Sequence, residues 1–157
     1  MHITRYTDYS LRVLMYLGLK NEKLSTIGEI AVHYGISKNH LMKVVQELSN
    51  KGYVVATRGK NGGLKLNGEP GKINIGALVR DTEKHFELVE CFSEGNSCII
   101  APVCRLKQLF SEALDGFIRV LDHYTLADLL AQADRSELTQ LLQIVDTPAP
   151  HETTATD

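Results

Sequence analysis

The chain has 157 residues and a mass of 17.5 kDa, which suits one compact domain, or a small domain with an arm, folding without a disulfide framework. Hydrophobic residues at 43% and charged residues at 23% exclude wholesale disorder and fibrous repeats. The net charge of −2 hides a polarity: residues 1–70 carry ten Lys/Arg against five Asp/Glu, and residues 71–157 seven against fourteen, so one end is suited to a polyanion.

The N-terminus carries Arg5, Asp8 and Arg12 in its first turns, which does not fit a secretory signal. No apolar run approaches the ~20 residues of a membrane span. A cytoplasmic protein without membrane contact is expected. A first helix is predicted from about Thr4 to Leu19, with Leu11, Leu14, Met15 and Gly18 along its apolar stripe. Thr26 and Glu29 form a T-x-x-E capping box that opens a second helix, striped by Ile27, Ile30, Ala31 and Tyr34. Gly35 ends that helix in a sharp turn. Ser37 then stands as the N-cap of a third helix, with Ile36 and Leu41 as a hydrophobic staple and Leu41, Val44, Val45 and Leu48 facing the core. Two short helices about a glycine turn make a helix-turn-helix. The apolar side of the third helix is committed inward, so Lys38, Asn39, His40, Lys43 and Gln46 turn outward, with Ser37 at their head. Asn and Gln can pair with adenine, and Lys with guanine or phosphate.

Tyr53 to Thr57 reads as a strand, Arg58 to Gly63 as a Gly-rich turn and Leu64 to Leu66 as the return strand. The tip presents Arg58, Lys60 and Asn61, and the two cations suit a narrow, electronegative minor groove. Neither a Walker-type G-K-[ST] nor a G-x-G-x-x-G accompanies these glycines, which disfavours a phosphate-binding loop. Residues 1–72 are therefore read as a winged helix-turn-helix DNA-binding domain in a mainly α fold, with double-stranded operator DNA as its partner.

Asn74 caps a short helix with Ile73 and Leu78 as its staple, and a cysteine-bearing loop runs to residue 100. From Pro102 a long helix is predicted, in which Val103, Leu106, Phe110, Ala113, Phe117, Val120 and Tyr124 step by three and four. Such a seam pairs best with a second copy of itself, and a homodimer can read two half-sites about 34–36 Å apart. Residues 101–146 are thus the dimerisation helix and two C-terminal helices. Thr125 and Asp128 cap the first of these, and Leu138, Leu141, Leu142 and Val145 line the second. Residues 147–157 have no apolar pattern and are expected to be disordered.

All three cysteines lie close together, Cys91, Cys98 and Cys104, as C-x6-C-x5-C. An odd count argues against structural disulfides, and neither gap fits the C-x2-4-C pair of structural zinc. Loose spacing in a polar loop beside a helix start suits a larger object, an iron–sulfur cluster, although the spacing alone does not name the metal. No Ser–His–Asp or paired-carboxylate constellation accompanies it, and a non-enzymatic role is expected.

The run R-G-K-N-G-G at Arg58–Gly63, the C-x6-C-x5-C ending in C-R-L-K, and D-x-Y-T-L-A-D-L from Asp122 to Leu129 together resemble the NsrR family of nitric-oxide-sensing repressors. That family belongs to the superfamily that also holds the iron–sulfur regulator IscR. The resemblance covers about residues 1–130. It implies a homodimer that holds a cluster, [4Fe–4S] in the main reading, through Cys91, Cys98 and Cys104. It further implies that Asp8 reaches the partner subunit's cluster as a fourth, oxygen ligand; read from the residues alone, Asp8 pairs with Arg12 one turn on. IscR-like proteins carry a His three residues after the last cysteine, where this chain has Lys107. The implied function is repression relieved when nitric oxide nitrosylates the cluster, derepressing nitric oxide detoxification genes. The alternative is a [2Fe–2S] regulator of iron supply or redox state.

Overall fold

The computed structural model describes residues 2–21, 23–84, 86–93 and 95–144. Val145 and the tail expected to be disordered lie outside the described residues. Seven α-helices are formed among those described: α1 (Arg5–Lys20), α2 (Ile27–Tyr34), α3 (Lys38–Asn50), α4 (Ile75–Thr82), α5 (Arg105–Asp122), α6 (Leu126–Leu129) and α7 (Gln132–Leu141). Between α3 and α4 runs a two-stranded antiparallel hairpin, β1 (Val54–Thr57) and β2 (Gly63–Leu66), with Val54 opposite Leu66 and Thr57 opposite Gly63. The mainly α, winged-helix fold expected from the sequence is the fold observed.

Thr4 caps α1, its hydroxyl accepting the Thr7 N–H at 3.3 Å. The burial of α1 is wider than the stripe expected. Val13, Leu14, Tyr16 and Leu17 are fully buried, whereas Leu11 and Met15 are only half-buried. The reason is position: α1 packs against α3, α4, α6 and β2, so neighbours enclose it on several sides. Gly18 abuts the Leu130 side chain, where a larger residue would hold α1 and the end of α6 apart.

The capping box of α2 forms in full, with Glu29 N–H to Thr26 Oγ1 at 3.1 Å and Thr26 N–H to Glu29 Oε2 at 3.3 Å. The other carboxylate oxygen of Glu29 takes the Tyr16 hydroxyl at 2.8 Å and the Lys20 ammonium at 2.9 Å. One side chain thus caps α2 and ties it to α1. Gly35 adopts the left-handed conformation (φ 62°) and Ile36 and Leu41 are both buried, as the turn and staple require. Ser37 occupies the N-cap of α3, but its hydroxyl makes no capping bond.

Asn74 caps α4 through Ala77 N–H at 2.9 Å. Its amide also donates to the Asp122 carbonyl at 2.8 Å, and Ile75 and Leu126 exchange backbone bonds with Tyr124 and Ile73. Arg80 of α4 grips Asp122 of α5 with two bonds, 2.6 and 3.2 Å. Gly76 faces Asp122 so closely that a Cβ there would stand 2.9 Å from the Asp122 backbone nitrogen and closer still to its carboxylate.

Two expectations for the second half are corrected. The long helix does not run unbroken from Pro102. Residues Ala101–Val103 form a 3-10 turn, Cys104 is extended (ψ 112°), and α5 begins at Arg105 and ends before Tyr124. Of the seam residues within α5, Leu106, Ala113 and Val120 are exposed and Phe110 and Phe117 half-buried, while Ile118 and Leu121 pack on the core. Leu141, expected to line the last helix inward, is 71% exposed, while Leu142 beyond the helix end takes the buried place. Residue 142 has left the helical path and Gln143 has φ 50°, so the helical spacing does not carry through.

Two outcomes follow from this packing. Gly76→Ala lowers unfolding stability by about 1–3 kcal/mol, because the added methyl has only backbone and a paired carboxylate to displace; urea titration measures it. Burial pushes the Glu29 carboxyl up, but Lys20, Tyr16 and the Thr26 amide outweigh it and hold the group below the ordinary glutamate value. A depressed acid stabilises the fold above its unfolded value and loses that contribution as pH falls through the native one. Glu29→Gln therefore costs about 1 kcal/mol at pH 7 and progressively less in acid, below the ordinary value near 4.5. Equal cost at pH 7 and pH 3.5 in the same titration contradicts the assignment.

Candidate nucleic-acid interface and cysteine segment

On α3 the faces divide, Met42 apart: Leu41, Val44, Val45 and Leu48 are buried, while Ser37 at the N-cap and Lys38, Asn39, His40, Lys43 and Gln46 are exposed. The outward set therefore lies along one accessible helix face, the shape a major groove admits. Lys51, at the α3 C-cap, is also exposed and extends the basic edge. It was not singled out from the sequence because it falls in the turn beyond the helical pattern.

The hairpin places Arg58, Lys60 and Asn61 in the exposed turn between β1 and β2. Two glycines set its shape. Gly59 has φ 116°, and a Cβ on Gly62 would collide with the Thr57 carbonyl and the Arg58 backbone. The base of the wing is fastened by contacts no local pattern announces. Ser25 and Leu64 exchange backbone bonds at 2.7 and 3.0 Å, and the Tyr53 hydroxyl donates to Asp81 of α4 at 2.6 Å. Burial first, then this carboxylate, pushes the Tyr53 phenol well above its ordinary range, so it remains a donor at any physiological pH.

Cys91, Cys98 and Cys104 are free and each is half-buried. Cys91 lies in a 3-10 turn, Glu90–Phe92, and Cys104 sits at the N-cap of α5 without capping it. The span between the first two is drawn together by Glu90, whose carboxylate takes the Ser97 hydroxyl at 3.0 Å and the Ser97 N–H at 3.5 Å. Cys98 is joined onward by its carbonyl, which accepts Ala101 N–H at 3.1 Å. Among the described residues, no three His, Cys, Asp or Glu side chains stand where they could hold one metal ion. The structure therefore supplies three free thiols on one short segment without drawing them around a single ion. Three thiols, with no disulfide among them, are the donor chemistry of an iron–sulfur centre.

Asp8 is not brought to these thiols. Its carboxylate pairs with Arg12, Nη2 to Oδ2 at 2.9 Å and Nε to Oδ1 at 3.1 Å. Arg12 in turn lies over the rings of Tyr9 and Tyr34, 5.9 and 5.8 Å from their centroids. Burial is the main reason the Tyr34 phenol is pushed up to about 12; Arg12 opposes the rise and Asp8 adds to it. Asp8 thus communicates with α2 of the helix-turn-helix through one guanidinium.

Comparison with known proteins agrees with this architecture. The family model described as Rrf2, iron-dependent transcriptional regulator, matches residues 3–132. The NsrR transcriptional regulator of Geobacillus kaustophilus is 51% identical over 145 residues, covering 91% of this chain and 97% of its own. That of Bacillus subtilis is 49% identical over 146 residues, covering 92% and 99%. Among solved structures, CymR, the global cysteine regulator of B. subtilis, superposes with a TM-score of 0.66 at 28% identity, over 82% of this chain and 95% of that one. IscR of T. potens, at 23% identity, shares the fold with a TM-score of 0.68 over 87% and 91%. Winged helix, outward basic face and matched family agree on DNA-binding regulators, not enzymes, and the chain belongs to the Rrf2 family of iron-dependent transcriptional regulators.

Proposed function

We propose that the chain is a homodimeric repressor that senses nitric oxide through an iron–sulfur cluster held by Cys91, Cys98 and Cys104. The observation that carries this reading is the grouping of three free, half-buried thiols in the segment that leads directly into α5. When bound, the cluster supplies iron that nitric oxide attacks, so the signal can dismantle what holds the thiolates together.

The rest is the work of the chain's own residues. The apolar face of α5 is unusually bare. Leu106 is 56% exposed and Val120 58%, with no residue of the helix fully buried. A bare apolar seam of this length fits a second copy of the helix. Pairing through it sets two α3 helices and two wings at a fixed separation, which is what a two-half-site operator demands. Cys104 stands at the start of that helix, so holding or releasing its sulfur acts where the pairing helix begins. Asp8, exchanging Arg12 for the partner subunit's cluster, would add a tie between subunits that disappears with the cluster. Such a tie gives the two states the differential stability that regulation needs.

The description of the family as iron-dependent favours a second reading, in which the same thiols report iron supply through a [2Fe–2S] cluster. Iron and sulfide counts on protein purified without oxygen separate the two.

The expected outcome is that oxygen-free dimer carries a cluster, binds promoter duplex with a steep salt dependence, and loses most of that affinity on stoichiometric nitric oxide. Cys98→Ser loses the cluster absorption and the nitric oxide response together. A cluster-free Cys98→Ser that still binds and still responds refutes the reading. Leu106→Glu places a charge in the seam and shifts sedimentation toward monomer, with operator affinity falling by about tenfold or more, since two linked half-site contacts become one.

A further inference from the structure

Glu83 is a buried carboxylate, 8% exposed, whose two partners among the described residues are both on Thr4 and both uncharged. Its Oε1 accepts the Thr4 backbone N–H at 2.7 Å and the Thr4 hydroxyl at 2.9 Å. The Thr4 hydroxyl is also the acceptor that caps α1. On the other side, the Glu83 backbone N–H closes α4 by bonding the Val79 carbonyl at 2.8 Å. One oxygen atom thus joins the end of α4 to the first turn of α1 across 79 positions of sequence.

The surroundings of this latch give it a direction. Glu83 is followed at once by the segment that carries the cysteines. A cavity of about 320 Å³ on one side of it is lined by Phe86, Leu88, Leu114 and Phe117, which belong to that segment and to α5. A larger cavity of about 810 Å³ on the other side reaches Lys43, Gln46 and Lys51 on the outer face of α3. The helix held by the latch, α1, packs on both α3 and α4. Asp8 lies one turn along it, its N–H bonded to the Thr4 carbonyl at 3.0 Å.

A carboxylate is retained in such a place only while its donors are in position, because an unpaired buried charge is far costlier than a hydrogen-bonded one. A shift of the cysteine segment that withdraws Glu83 therefore releases the first turn of α1. We propose that Glu83 is a positioning residue for DNA binding: through Thr4, it makes the set of α1, and of α3 packed upon it, depend on the conformation of the cysteine segment. This inference rests on the cluster-sensing reading for its signal, and its test separates the two.

The experiment compares oxygen-free, full-length dimers of the wild type, Glu83→Ala, Glu83→Gln and Thr4→Val. Hydrogen exchange at the α1 N-terminal amides is measured with and without cluster, and affinity for a duplex selected by the wild-type protein is measured before and after nitric oxide. Glu83→Ala is expected to keep the cluster absorption and the dimer. Its Thr4–Asp8 amides exchange about tenfold faster with the cluster present, matching cluster-free wild type, and its affinity ratio across nitric oxide shrinks by a similar factor. Glu83→Gln, which can accept the same two bonds, restores both readouts, and Thr4→Val, lacking only the hydroxyl, falls between. Wild-type exchange and ratio in Glu83→Ala overturn the proposal, as does a Glu83→Gln that behaves like the alanine. If wild-type affinity ignores nitric oxide, the sensing reading fails, while exchange in Glu83→Ala still decides the latch. If Glu83→Ala does not fold, unchanged exchange and ratio in Thr4→Val overturn it.

Discussion

Helix α1 has no exposed residue from Leu11 to Lys20, and the rest of the molecule is arranged around that enclosure. A helix buried on one stripe can slide against its single partner. One enclosed by α3, α4, α6 and β2 cannot move without disturbing all of them. Elements from both halves of the sequence are thereby packed on a common rod. The exposed basic face of α3 and the acidic half that holds the thiols are thus packed onto one helix, although the charge division suggests two bodies.

The polar contacts made by α1 follow the same logic. Thr4 reaches α4 through Glu83, Arg12 reaches α2 through Tyr34, and Tyr16 and Lys20 converge on Glu29. The first ends at α4, and the other two meet α2 near its two ends. Packing sets the distance between these helices, and the polar contacts set the angle. The first helix of the winged domain is consequently tied by polar contacts to both α2 and α4.

What the sequence disclosed was whatever has a local cause. The capping boxes at Thr26–Glu29 and Thr125–Asp128, the Asn74 cap, the Gly35 turn and the alternation of faces on α3 all depend on residues within four positions of one another. They were legible for that reason. Glu83 with Thr4, Tyr53 with Asp81 and Arg80 with Asp122 join positions 79, 28 and 42 apart, and no periodicity encodes them. The break at Cys104 was hidden by a different cause. Val103 continues the apolar rhythm of α5, so the pattern ran past the point where the backbone leaves the helix. In the candidate site, the residue types of both the outward face of α3 and the thiol segment were evident, whereas the Glu90–Ser97 tie that gathers the segment was not.

The wing carries a consequence of its own for how such a regulator diversifies. Gly62 is pressed against the main chain of Thr57 and Arg58, and Gly63 against Leu24 and Ser25. Neither position has room for a side chain, so bulk and contour at the foot of the loop are frozen by backbone on backbone. Freedom to vary is left to the exposed Arg58, Lys60 and Asn61. Substitution at the tip can therefore change the charge the loop presents without changing its backbone path, whereas a side chain at either glycine would have to move that path.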